Sequence, residues 1–108
     1  MAFFPCPYLG CSVELTDERE RHIRNQHPDL LPAHRARIIE VVGDPDQIRR
    51  SRRAGNARLF SKWFDDVRGG RHVVVVVVSD IVGTNPPWII TAYMARKLKE
   101  GEIEWLRS

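Results

Sequence analysis

With 108 residues, 43% hydrophobic and 29% charged, the chain has material for one modest core and not for two. Seventeen basic against fourteen acidic residues leave a net charge of +3. The valine run Val73 to Val78 is too short to cross a bilayer, and Met1-Ala2-Phe3-Phe4-Pro5 has no basic leader, so a cytoplasmic protein with no membrane partner is expected.

The chain is expected to form one domain over 1–108, with a cysteine-containing knuckle at 1–15, a helical part at 16–43 and an antiparallel sheet at 47–106. The knuckle begins Cys6-Pro7-Tyr8-Leu9-Gly10-Cys11, where Gly10 can adopt the positive φ that lets two thiols converge. In a reducing compartment these cysteines serve as thiols or metal ligands rather than as a disulfide. With His22 and His27 they spell Cys-x4-Cys-x10-His-x4-His, a ligand set that suits a tetrahedral structural zinc. Residues five apart on a helix do not share a face, so such a site requires the helix to end at His27, where Pro28 follows. The competing reading makes both cysteines small buried hydrophobes.

A first helix starts near Thr16-Asp17, with Glu18 and Glu20 at the positive end of its dipole and Pro28 as its stop. A second runs from about Leu30 to Val42, with Pro32 in its first turn and an apolar stripe of Leu31, Ile38, Ile39 and Val42. After the turn Asp44-Pro45-Asp46 the period becomes strand-like. Strands are expected at Ile48–Ser51, Ala57–Phe64, His72–Ser79 and Trp88–Met94, with Ile103–Trp105 as a short edge. The turn-rich 83–87 segment precedes the fourth of these. Six consecutive valines mark a central strand buried on both faces. The expected fold is α+β, two N-terminal helices packed on a four- to five-stranded antiparallel sheet.

Between Gln47 and Phe64 lie Arg49, Arg50, Arg52, Arg53, Arg58 and Lys62, with no acidic residue among them. Arginine's planar fork suits phosphate oxygens, so this run reads either as a nucleic-acid stripe or as a solvated surface. RNA chemistry asks for a titratable group near neutrality and a cation on the phosphate. His22 or His27 can be base or acid, while Arg58 and Lys62 project from one strand face as a phosphate clamp. Tyr93 can stack a base or donate its hydroxyl. Each has a structural alternative: the histidines as helix-end packing, Tyr93 and Thr91 as β-formers, and the tryptophans as core or sheet-face anchors.

Several short motifs occur in a telling order: Glu14-Leu15-Thr16-Asp17-Glu18-Arg19, His22-Ile23, His27-Pro28-Asp29-Leu30, Asp44-Pro45-Asp46, Arg58-Leu59-Phe60, Ile89-Ile90-Thr91-Ala92-Tyr93 and Glu102-Ile103-Glu104-Trp105. Together, over about residues 13–105, they resemble small phage- and prokaryote-associated nuclease-like domains of the barnase–EndoU–colicin–RelE fold. The resemblance implies an RNase-like architecture with an active cleft on the exposed sheet face. It also implies toxin-like RNA cleavage that requires no cofactor, and an antitoxin or other protein partner. Thr91 falls where that family tends to place a polar active-site residue. The other expectation, from a different class, is a non-catalytic nucleic-acid-binding module stapled by zinc.

Overall fold

A computed structural model describes residues 1–80, 83 and 85–108. The chain opens not with a knuckle but with a β-hairpin. β1 (Ala2–Cys6) and β2 (Cys11–Leu15) pair antiparallel with Cys6 opposite Cys11, and a 3-10 turn at Pro7–Leu9 joins them. Gly10 ends that turn at φ 70°, the positive φ expected of it. Two helices follow, α1 (Asp17–Gln26) and α2 (Arg35–Gly43), and then β3 (Gln47–Arg50), β4 (Ala57–Phe64), β5 (Arg71–Val78), β6 (Trp88–Ala95) and β7 (Glu102–Leu106). The expected turn at 83–87 includes Thr84, which lies outside the described residues.

The architecture is α+β, but it corrects the expected sheet. The seven strands among the described residues join one mixed sheet in the order β1-β2-β6-β5-β4-β3-β7. The helices are not N-terminal to it; they sit between its second and third strands. β2 meets β6 in parallel at a single pair, Glu14 with Trp88, where the Glu14 amide donates to the Pro87 carbonyl. Further along, α1 packs on β6, and Arg19 donates to the Ile90 carbonyl at 3.3 Å. β1 leaves no strand pattern in the sequence because Phe3-Phe4-Pro5 breaks any regular alternation.

Local signals agree with the structure where they are strong. Thr16 caps α1, its hydroxyl accepting from the Arg19 amide at 3.1 Å. The second helix starts five residues later than expected. Residues 30–34 form turns instead, with the His34 amide bonded to the Leu30 carbonyl, and the Leu31–Pro32 peptide is cis. Its buried stripe is Ile38, Val41 and Val42, while Ile39 is exposed.

The valine strand β5 lies at the centre. Val73, Val75 and Val77 face the helices and join Ile23, Ile38, Phe60 and Ile89 in the core. On its other face Val74 is equally buried, and so are Leu59 and Ser61 beside it on β4. That second layer is made by the connection from β6 to β7. β6 is third in the sheet and β7 seventh, so residues 96–101 cross over β5, β4 and β3 on the face opposite the helices. Gly101 closes the crossing at φ +80°, and a Cβ there would lie 2.6 Å from the Arg50 carbonyl oxygen. No bulkier residue fits that approach.

Candidate nucleic-acid interface

Alternation along β4 decides where its cations go. Arg58, Phe60, Lys62 and Phe64 point to the helix side, while Leu59, Ser61 and Trp63 point to the crossover side. Lys62 is therefore not on the face that carries Thr91. Its ammonium binds the Asp44 carboxylate at 2.9 Å and Glu40 at 3.3 Å, holding the end of α2 to the sheet. Thr91 lies on the opposite face, in register with Val76 and Leu59.

The arginine run is largely neutralised by residues remote in sequence. β7 pairs antiparallel with β3 and brings Glu102 and Glu104 beside it, with Glu100 just ahead of the strand. Arg50 and Arg58 both donate through Nε to the Glu104 carboxylate at 2.8 Å, and the Tyr8 hydroxyl donates to the same carboxylate at 2.5 Å. Burial alone would raise the Glu104 pKa, but these donors outweigh it and hold the carboxyl down at about 2. Tyr8 also stacks edge-on to Phe60 at 6.1 Å and tilted against Trp105 at 6.0 Å. The hairpin tip thus meets the far end of the strand order, and the sheet curls to allow it. Arg52 and Arg53 make looser pairs with Glu102 and Glu100, at 3.6 and 3.8 Å. Arg49 is tied to Gln47 and to the Glu100 carbonyl.

The four sulfur and imidazole groups do not converge. Cys6 is buried on the inner side of β1, and burial pushes its thiol above the usual range. Cys11, its cross-strand neighbour, is exposed, and both cysteines are free. His22 is half-buried on α1. His27, at the C-terminal end of α1, lies against Tyr93 with ring centroids 6.1 Å apart. Among the described residues no three His, Cys, Asp or Glu side chains are placed to hold a metal ion, so the residues present do not fit the expected zinc site.

What the structure does bring together is centred on Tyr93. It is half-buried, and burial raises its pKa, so the phenol stays protonated at neutral pH. One side meets His27; the other lines a small cavity under the crossover with Arg49, Ser61, Lys97 and Lys99. At about 20 Å³ that cavity holds about one water, not a nucleotide. The expected open cleft on the sheet face is therefore roofed over. Along the roof Leu98 is half-buried, while Arg96, Lys97 and Lys99 are exposed and form no ion pair among the described residues. Lys99 also borders a shallow depression with Arg52, Arg53 and Glu100, so the cationic surface continues onto the β3–β4 turn.

Sequence reading passes over Arg96, Lys97 and Lys99, although a short basic run is visible in the tail. It also misses Ser61, Tyr8 and Glu104. Tyr8 and Glu104 meet across a separation of 96 residues and leave no local signal.

No known protein family, curated protein or solved structure matches the chain. No described helix is long and apolar enough to cross a membrane.

Proposed function

We propose that the chain binds single-stranded RNA across the crossover face and cleaves it where Tyr93 meets His27, outside the one-water cavity, as a small toxin-like endoribonuclease. The observation that carries this reading is Tyr93 itself, which shares one contact with His27 and one cavity with Arg49, Lys97 and Lys99. A base, a protonated hydroxyl and cations are the groups that phosphodiester transesterification requires. In this reading His27 accepts the proton of the ribose 2′-hydroxyl, whose oxygen attacks the adjacent phosphorus. Tyr93 donates its proton to the departing 5′-oxygen, and the cations neutralise the charge gathering on the phosphate. The products are a 2′,3′-cyclic phosphate and a 5′-hydroxyl end. No cofactor takes part, and the two free cysteines suit a reducing, cytoplasmic setting.

The test is incubation of single-stranded RNA with the protein in excess chelator, followed by analysis of the ends. We expect cyclic-phosphate ends, and a rate roughly 10²–10⁴-fold lower for His27→Ala. Folded wild-type protein that binds RNA but never cleaves it sinks the catalytic part. That outcome leaves the second reading, a non-catalytic RNA-binding module, which the one-water size of the cavity and the neutralisation of Lys62 and Arg58 favour.

A further inference from the structure

Trp63 is an exposed aromatic on the crossover-side face whose exposure the packing does not explain. The tryptophan is 42% exposed, yet its ring is held on several sides. Its indole N–H donates to Asp65 at 2.5 Å, and its backbone amide donates to the Asp46 carboxylate at 2.8 Å. His72 meets it edge-on at 4.9 Å between centroids, with the planes at 71°. Gly70 passes so close that a Cβ there would lie 2.6 Å from ring atom Cζ2. The loop after β4 is thus fitted to the ring. A surface aromatic fixed in this way has already lost its rotamer freedom, so a flat partner stacks on it at little further entropic cost.

The register places this ring beside the cationic crossover. Trp63 pairs with His72, which pairs with Ala95, and Arg96 follows directly. Tyr93 is one same-face step back along β6. The two aromatics are therefore about 10 Å apart across the strands and about 7 Å along them, from ordinary strand spacings. Asp65 sits at the indole N–H and repels phosphate, so the group that suits this spot is an uncharged flat ring whose attached phosphate can reach Arg96 or Lys97. Burial lowers the His72 pKa, which keeps its imidazole neutral and adds no competing charge.

We infer that Trp63 is a nucleobase-stacking platform, a base subsite outside the reacting pair that fixes the path of single-stranded RNA over the crossover. This inference rests on the RNA reading above and assigns a subsite within it. A base stacked on an aromatic side chain is sequence-tolerant, so the subsite selects single strands over duplex rather than one base over another.

The experiment titrates the protein at low salt with an oligouridylate, or with tripolyphosphate, which carries charge but no base. Tryptophan emission and the anisotropy of labelled oligouridylate are followed together. Support is quenching by the oligouridylate but not by tripolyphosphate, loss of that quenching in Trp63→Phe, and about tenfold weaker binding by Trp63→Ala. If Trp63→Ala is unfolded by circular dichroism, the Trp63→Phe quenching comparison decides alone. Wild-type binding with quenching retained in Trp63→Phe overturns the platform and leaves the RNA reading standing. No binding of oligouridylate by the wild type overturns both.

Discussion

At one corner of the sheet Arg50 and Arg58 share the carboxylate of Glu104, while on the opposite face Arg96, Lys97 and Lys99 carry their charge into water. The corner is the region that the sequence marks as basic. It is a structural joint: two guanidiniums, a phenol and a carboxylate close a seam between the hairpin tip, β3, β4 and β7. The crossover, by contrast, reads in sequence as an ordinary tail, yet it carries cations with no ion-pair partner among the described residues. A cation in sequence is available to a ligand only if the fold does not bring a carboxylate to it. β7 brings Glu102 and Glu104 to the arginine run, and Glu100 just before it pairs with Arg53, whereas Arg96, Lys97 and Lys99 meet no carboxylate within ion-pair distance among the described residues.

The contrast breaks most visibly at Glu104. Glu104→Ala leaves Arg58 half-buried without its counter-ion and is expected to destabilise the fold by about 3 kcal/mol in urea unfolding. An unchanged midpoint would make the corner an ordinary surface. The same joint predicts a pH dependence. The folded pKa of Glu104 is depressed to about 2 from an ordinary 4.5. Its contribution, about 3 kcal/mol from that shift, is fully present above about pH 4.5 and lost as pH falls through about 2. In Glu104→Gln an acid titration of stability should lose most of its slope in that window.

On the other face, Arg96, Lys97 and Lys99 changed together to alanine should weaken oligoribonucleotide binding roughly tenfold at low salt. They should also flatten the log–log salt slope by about 2, near 0.7 per lost phosphate contact. Arg50→Gln should leave that slope where it was. Equal slope changes in both variants would erase the distinction between the regions. The smallest effect belongs to Lys62→Met, which removes ion pairs to the more exposed Asp44 and Glu40. We expect a loss within about 1 kcal/mol and no change in RNA affinity.

How much of this is legible depends on range. The Thr16 cap, the β4 alternation and the valine strand are set by neighbours a few residues away, and their positions can be read directly. The hairpin is hidden because Cys6 and Cys11 suggest a metal knuckle, and zinc and hairpin turns both favour the same glycine. His27 is legible as a chemical group, but its partner is not. The pairing with Tyr93 depends on α1 packing along β6 where β2 diverges, an arrangement no periodicity encodes. Lys62 and Thr91 look like neighbours on one face until the strand register between them is known, and that register puts them on opposite sides.

The crossover also sets an order of events in folding. Among the described residues β7 pairs only with β3, and its path over the sheet exists only once β4, β5 and β6 are aligned. Such a long-range closure forms late, and a late-forming seam is among the first to open in native-state fluctuations. Amides of β5 should therefore exchange with solvent only on global unfolding, whereas those of β7 should exchange through a smaller opening. That opening would lift residues 96–101 with it, uncovering Ser61 and Val74 beneath. The roof over Tyr93 is in this sense hinged at β7, and the stability of that strand sets how often the buried face meets the solvent.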